Sequence, residues 1–173
     1  MQLTKHHGLG NDFLVALETA NPGLAPEVDV ARRLCDRRRG VGADGLLYGL
    51  EPLDGGDVRM VLLNADGSRA EISGNGLRCL GQAALAADGR KDGRLTVETD
   101  VGPRHLDALV TDDPDVMVVT VEMGSVTAGP PVPAEVPVVY EAAMGLGIGN
   151  PHLVFHVESL AGIDPAAVGP RIE

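Results

Sequence analysis

The sequence has few aromatic residues: they make up 2% of its 173 residues, and tryptophan is absent. Valine, leucine, isoleucine and alanine must therefore build the core. An aromatic platform on which single-stranded nucleic acid could stack is nearly excluded. The hydrophobic share of 44% and the charged share of 23% are ordinary for a globular protein, so we expect the chain to fold.

Basic residues are also scarce, because 14 lysines and arginines stand against 25 aspartates and glutamates, for a net charge of −11. A protein with this net negative charge does not attract the phosphate backbone of a nucleic acid through its overall electrostatic field. The one basic run, at 37–39, falls where a predicted helix ends, and cations there complement the negative end of the helix dipole. We therefore expect no nucleic-acid partner.

Long apolar runs and cysteines are few as well. No stretch approaches the roughly 18–20 apolar residues of a membrane span, and the N-terminus lacks the apolar core of a signal peptide. The two cysteines, Cys35 and Cys79, do not make a disulfide framework. These features predict a cytoplasmic protein without a membrane partner.

Hydrophobic periodicity divides the chain into strand-like and helix-like segments. A strand, a glycine-rich break at 8–12 and a second strand open the chain, and an apolar stripe from Val28 to Cys35 predicts a helix. A second helix follows the segment 73–76. It is apolar on nearly every side, which indicates a buried helix, and Ser73 fits its N-cap. Further strands are predicted over 46–50, 58–63, 95–101, 105–110 and 116–123.

One glycine-rich segment recurs in the sequence. Gly-Leu-Gly-Asn-Asp-Phe-Leu-Val at 8–15 returns as Gly-Ile-Gly-Asn-Pro-His-Leu-Val at 147–154, with five of eight positions identical. A repeat at so long a period suggests two similar halves. On this interpretation the second half begins near residue 118.

The glycine-rich start of the buried helix is the best candidate for a binding site. The first turn of a helix leaves backbone N–H groups without partners, and Gly74 and Gly76 would let a ligand carboxylate approach them closely. Four asparagines lie in such glycine-rich or turn contexts: Asn11, Asn64, Asn75 and Asn150. Each alone could simply cap a turn, but together they favour a site that fixes amino and carboxylate groups.

Other chemistries have weaker support. The chain has two lysines, and neither context suggests a Schiff base. The glycine pair at 8–10 precedes a strand rather than a helix, so it is no dinucleotide fingerprint. His152 and His156 lack a carboxylate partner and are a weak zinc signal. Asp44 fits a turn better than a catalytic acid. We expect no cofactor and no metal.

Five motifs run in order along the chain: KHHGLGNDF at 5–13, GVGADG at 40–45, NADGS at 64–68, GNGLR at 74–78 and GNPH at 149–152. Together they resemble the diaminopimelate epimerase family, and the resemblance extends over essentially the whole chain. It implies an α+β, pseudo-symmetric two-domain epimerase fold, in which each half wraps a sheet around a central buried helix. The first domain would span 1–117, and 118–173 would be the start of a second, truncated domain.

The resemblance also implies an activity that needs no cofactor. In the family one thiolate removes the α-proton of the substrate, and a thiol on the opposite face returns a proton. The substrate would be LL-2,6-diaminopimelate, interconverted with the meso form in lysine biosynthesis. By motif position, the residues that would bind this small molecule are Asn11, Asn64, Gly74, Asn75 and Asn150, while His152 would tune the thiols.

The sequence departs from the family at its first thiol, because Ser73 occupies that position. An alcohol is far harder to deprotonate than a thiol, so Ser73 would donate or relay a proton rather than act as a base. Cys79 fits a small buried residue instead. The family's second cysteine segment does not occur in the 173 residues, so we expect this chain to be inactive alone.

Two alternative functions stay open. One is a racemase of another amino acid on the same fold, because Ser73 breaks the pattern of paired thiols. The other is a non-catalytic amino-acid-binding paralogue or fragment. The oligomeric state, including a homodimer, stays open too.

Overall fold

Eleven strands and three α-helices occur in residues 1–172, which are the residues that the computed structural model describes. The chain forms two compact units, Met1–Met123 and a second unit that begins at Gly124. The sequence-based boundary after residue 117 falls earlier, at the start of the strand Met117–Val121. That strand pairs with the preceding strand of the first unit, and this pairing keeps it there.

A mixed sheet of eight strands dominates the first unit. Its strands are β1 (Thr4–Gly8), β2 (Asn11–Leu17), β3 (Gly45–Leu50), β4 (Val58–Asn64), β5 (Arg69–Ala70), β6 (Gly93–Thr99), β7 (Gly102–Val110) and β8 (Met117–Val121). They lie in the order β1-β2-β3-β4-β6-β7-β8, and β5 pairs with β4. The β2–β3 and β4–β6 pairs are parallel. β2 and β3 therefore begin at the same edge of the sheet.

Two helices, α1 (Val28–Cys35) and α2 (Gly74–Ala87), cover the two faces of this sheet. Strand β2 shows why, because successive side chains of a strand point to opposite faces. Phe13 packs into the apolar cluster that includes α2, whereas Leu14 packs into the cluster that includes α1. The continuous apolar run of β2 is thus buried on both sides.

Helix α2 is the element around which the sheet curls, since it packs against β1, β2, β3, β4, β6, β7 and β8. Leu77, Leu80 and Leu85 are fully buried. Gly81 allows the close approach of β7, because a Cβ there would lie 2.8 Å from Leu106 Cδ2. For the first unit, these contacts confirm the predicted α+β fold with a sheet wrapped around a buried helix.

The first copy of the recurring motif forms a β-hairpin. Leu9 and Gly10 make the two-residue turn between β1 and β2, with φ angles of 55° and 90°. Positive φ at both positions is the geometry of a type I′ turn, whose twist matches that of paired strands. The predicted strand, break and second strand are therefore confirmed.

The second unit contains a three-stranded sheet in the order β11-β10-β9, with strands β9 (Thr127–Ala128), β10 (Ala142–Gly147) and β11 (Pro151–His156). A short helix, α3 (Pro165–Val168), follows the sheet. The second copy of the motif joins β10 to β11 through residues 148–150, so both copies lie at hairpin turns. None of the helices within residues 1–172 is long and apolar enough to cross a membrane.

Candidate functional site

The start of α2 presents two free backbone amides. Ser73 caps the helix as predicted: its Oγ accepts a 3.0 Å hydrogen bond from Gly76 N, and its carbonyl oxygen accepts one from Leu77 N. The amides of Gly74 and Asn75 have no acceptor among the described residues. Two N–H donors at the positive end of a helix can hold a carboxylate or another anion.

Gly74 keeps the approach to these amides open. A Cβ at this position would have Met123 Sδ as its nearest neighbour, at the ordinary contact distance of 3.5 Å. The fold therefore does not require glycine at 74. Gly76 differs, because a Cβ there would lie 3.1 Å from Ser73 Cβ. A glycine that packing does not demand favours a ligand that approaches the backbone at this point.

Asn11 and Asn75 lie side by side next to this helix end. Asn75 Nδ2 donates to Asn11 Oδ1 over 3.4 Å, and Arg78 Nη1 donates to Asn75 Oδ1 over 2.7 Å. Gly8 makes room for the contact, since a Cβ there would lie 3.1 Å from Asn75 Oδ1. The first hairpin and α2 thus bring together two predicted site residues that are 64 positions apart.

Asp44 holds Asn11 from the other side. Its Oδ2 accepts from Asn11 Nδ2 over 2.8 Å and from the Asp12 amide over 3.1 Å, while its Oδ1 accepts from Arg37 Nη2 over 2.7 Å. The hydrogen bond from Asn11, with those from the Asp12 amide and Arg37, lowers the pKa of Asp44 against the opposing effect of burial. The sequence-based interpretation of Asp44 as a turn residue missed this contact with Asn11. Its place in the GVGADG motif was the only signal available.

Asp12, in β2, binds two cations beside Asp44. Arg37 donates to both carboxylate oxygens, over 2.6 and 3.1 Å, and Lys5 Nζ lies 3.1 Å from Oδ2. The hydrogen bonds from Arg37, followed by those from Lys5, hold the pKa of Asp12 well below its usual range despite partial burial. Asp12 and Asp44 are therefore both ionised at neutral pH.

Acid is expected to destabilise the first unit below the usual pKa of aspartate. Because the pKa values of Asp12 and Asp44 are lower in the folded protein, the unfolded chain binds more protons as the pH falls. Their contribution to stability is thus complete above about pH 5 and is lost as the pH falls through the folded-state values. Urea unfolding at several pH values between about 3 and 7 should show this decline. Asp12→Asn should make the decline shallower, and an unchanged slope would contradict the assignment.

Asn64 lies at the same edge of the sheet as Asn11, at the end of β4. It pairs with Gly45, the first residue of β3, and the next amide, Ala65 N, donates to the Asp44 carbonyl oxygen over 2.9 Å. Its own Nδ2 donates to Ser68 Oγ over 3.0 Å. Three of the predicted site asparagines therefore occur in one region of the first unit.

Asn150 and His152 belong to the second unit, at the turn between β10 and β11. His152 Nε2 donates to Asn150 Oδ1 over 3.0 Å, and the His152 side chain is exposed. The predicted roles of these two residues stay predictions.

Neither cysteine is placed to act as a base. Cys35 and Cys79 are free thiols with exposed fractions of 1% and 2%. Burial raises the pKa of Cys79 to about 11, and burial also raises the pKa of Cys35. Cys79, in α2, lies in the apolar cluster between this helix and the sheet and packs there as a small apolar side chain.

Both thiols are expected to be unreactive towards a disulfide reagent in the native protein. Their burial and raised pKa values leave little accessible thiolate near neutral pH. Titration with Ellman's reagent should find no fast-reacting thiol in buffer and both thiols in guanidinium chloride. A fast-reacting thiol in the native Cys35→Ala variant would place Cys79 in an accessible position, contrary to this structure.

Comparison with known proteins gives consistent similarities. The family model described as diaminopimelate epimerase matches residues 3–128. Diaminopimelate epimerases from Synechococcus elongatus and Carboxydothermus hydrogenoformans are 35% and 36% identical to this chain over all of its length. The chain spans 65% and 66% of the lengths of those relatives.

Solved structures with the same fold are more distant in sequence. A probable proline racemase from Agrobacterium radiobacter superimposes with a TM-score of 0.64 at 17% identity, covering 96% of this chain and 52% of the racemase. A hydroxyproline epimerase from Agrobacterium vitis has a TM-score of 0.61 at 18% identity, covering 84% of this chain and 48% of the epimerase. These likenesses identify the fold.

Proposed function

Because this chain belongs to the diaminopimelate epimerase family, we propose that its site takes part in the interconversion of LL-2,6-diaminopimelate and its meso form, in lysine biosynthesis. One observation carries the proposal: two amides without an acceptor among residues 1–172 open α2 beside Asn11 and Asn75, within the motifs that carry the family resemblance. The 173-residue chain would supply one of the two faces that exchange a proton with the α-carbon. The protein would work in the cytoplasm, which the free cysteines support.

The α-carboxylate of the substrate would bind the amides of Gly74 and Asn75. These donors are fixed by the helix, so they need not reorganise as negative charge develops at the α-carbon. The helix dipole favours the same charge. Stabilisation by fixed dipoles explains how an α-proton can be labile without a cofactor that accepts electrons. Asn64, at the same edge of the sheet, would add a further amide to this set. The roles of Asn150 and His152, in the second unit, stay predictions from the family resemblance.

Ser73 would act as a proton donor. Its Oγ already accepts the Gly76 N–H, so one lone pair is engaged and its own O–H proton is available to a partner. A serine hydroxyl is hardly ionised near neutral pH, even at a helix N-terminus, because its unperturbed pKa is far above that of a thiol, so Ser73 is not suited to remove the α-proton. Donation from Ser73 would form a C–H bond on the α-carbanion and leave an alkoxide, which solvent would reprotonate. We assign the base that removes the α-proton to neither buried thiol.

A racemase of another amino acid is the second candidate function. Ser73 in place of a thiol favours it, and so do fold relatives described as a proline racemase and as a hydroxyproline epimerase with bound trans-4-hydroxy-L-proline. A substrate panel separates the two candidates. Calorimetry should show that the chain binds LL- and meso-diaminopimelate more tightly than proline or hydroxyproline. The reverse order would favour the racemase.

A non-catalytic amino-acid-binding role is the third candidate, and solvent deuterium distinguishes it. The purified chain is incubated with LL-diaminopimelate in deuterated water, and the product is analysed by mass and by chiral separation. We expect no inversion by the 173-residue chain, because two-base chemistry needs a proton carrier on each face and both thiols are buried. Deuterium at the α-carbon with retained configuration would support catalysis from one face. Any deuterium at the α-carbon would exclude the non-catalytic role.

A further inference from the structure

Four side chains form a directional chain of hydrogen bonds beside the start of α2. Asn11 Nδ2 donates to Asp44 Oδ2 over 2.8 Å, Asn75 Nδ2 donates to Asn11 Oδ1 over 3.4 Å, and Arg78 Nη1 donates to Asn75 Oδ1 over 2.7 Å. Each asparagine amide could in principle face either way, because a rotation of 180° exchanges its donor and its acceptor. Asp44 and Arg78, at the two ends of this hydrogen-bonded series, remove this freedom.

Asp44 fixes the orientation of Asn11. An ionised carboxylate can only accept hydrogen bonds, so Asn11 must turn its NH₂ group towards Asp44 and its carbonyl oxygen towards Asn75. Arg37 Nη2 and the Asp12 amide also donate to Asp44 and keep its carboxylate in place. A rotated Asn11 would place two oxygens in contact and lose a charge-assisted hydrogen bond.

Arg78 fixes the orientation of Asn75. A guanidinium can only donate, so Asn75 must turn its carbonyl oxygen towards Arg78 and its NH₂ group towards Asn11. Arg78 Nε also donates to the Val119 carbonyl oxygen over 3.3 Å, which ties the guanidinium to β8. Arg78 and Asn75 are half-buried, so water screens these contacts only in part.

We propose that Asp44 and Arg78 are positioning residues that hold the amides of Asn11 and Asn75 in one orientation for the substrate. The proposal rests on the proposed function, because it takes the start of α2 as the substrate site. With both amides fixed, Asn11 and Asn75 each keep one N–H to donate and one lone pair to accept. Neither amide then has to reorient on binding, which lowers the entropy that binding must overcome.

Nuclear magnetic resonance tests the orientation in the unaltered chain. A scalar coupling across the hydrogen bond between Asn11 Nδ2 and Asp44 Cγ is expected, with slow hydrogen exchange at the Asn11 side-chain amide. In Asp44→Asn the side-chain amide signals of Asn75 should shift as well as those of Asn11, although Asn75 does not contact Asp44 among the described hydrogen bonds. Unchanged Asn75 signals would overturn the proposal, since the orientation would then not be transmitted.

Binding of LL-diaminopimelate tests whether the orientation serves the substrate. Asp44→Asn and Arg78→Met should each weaken binding about tenfold, the usual effect of one charge-assisted hydrogen bond. Arg78→Lys should restore most of the affinity, because lysine also only donates. The matched controls, Asp107→Asn and Arg69→Met, remove surface ion pairs elsewhere on the sheet and should leave the affinity unchanged.

The two arms separate failure of the inference from failure of the proposed function. If the unaltered chain does not bind diaminopimelate, the proposed function fails. The scalar coupling between Asn11 and Asp44, and the response of the Asn75 signals in Asp44→Asn, would still show whether the two amides are held in one orientation. If the chain binds diaminopimelate but Arg78→Met binds as tightly as the unaltered chain, the positioning role is wrong. Failure of Arg78→Lys to restore an affinity lost in Arg78→Met would also contradict it.

Discussion

Replacing Ser73 with aspartate is expected to preserve or raise the stability of the protein and to weaken binding of the substrate strongly. Aspartate is as good an N-cap as serine, and its charge interacts favourably with the helix dipole, by about 0.3–1 kcal/mol. Urea unfolding should therefore give a free energy of unfolding at or slightly above that of the unaltered chain. The same charge would lie beside the amides of Gly74 and Asn75, where the substrate carboxylate is proposed to bind.

Binding should weaken in Ser73→Asp by roughly 10²–10³-fold, because like charges placed together oppose association by several kcal/mol. Ser73→Asn is the matched control. It has nearly the same shape and capping ability but no charge, so it should keep the stability and most of the affinity. Calorimetry with LL-diaminopimelate measures both variants. Equal affinities in the two variants would mean that the substrate carboxylate does not bind at this helix end.

Replacing Gly74 with valine is expected to remove substrate binding without disturbing the fold. A Cβ at position 74 has Met123 Sδ as its nearest neighbour, at 3.5 Å, and this flexible side chain can adjust. Valine is also a better helix residue than glycine, so the helix should not be weakened. The added methyl groups would occupy the approach to the two free amides.

The expected loss of affinity for Gly74→Val exceeds roughly 100-fold, since a carboxylate kept from its amides loses its charge-assisted hydrogen bonds together with the helix dipole. Ala86→Val, at an exposed position near the other end of α2, is the control for adding valine to this helix. Circular dichroism should be unchanged in both variants. Full affinity in Gly74→Val would exclude this binding mode.

The elements that carry the site were predictable from local sequence. The glycine-rich segment 8–12 marked the turn of the first hairpin, although leucine rarely adopts the positive φ that Leu9 has there, and Ser73 before a glycine-rich turn marked the N-cap of α2. Both features depend on interactions within a few residues. Because local backbone conformation and capping limit which residues can occur at a turn or at a helix start, a sequence pattern is enough to predict these two features.

The side-chain contacts at the site were not predictable in the same way. Asp44 and Asn11 meet only because β2 and β3 are parallel neighbours, which brings the starts of two strands 33 residues apart to one edge of the sheet. Arg78 was visible as a polar residue on an apolar helix, but its partner Asn75 depends on rotamers that a sequence pattern does not specify. The departure of Ser73 from the family's thiol was evident from the resemblance alone.

The most direct test of the proposed carboxylate site is the response of two backbone amides to the substrate. Nitrogen-15-labelled protein is titrated with LL-diaminopimelate, and the amide signals of Gly74 and Asn75 are followed by two-dimensional nuclear magnetic resonance. The account predicts that both amide protons move downfield and titrate together, with smaller changes at Asn11. Saturable binding of diaminopimelate that leaves the Gly74 and Asn75 amides unmoved would contradict it.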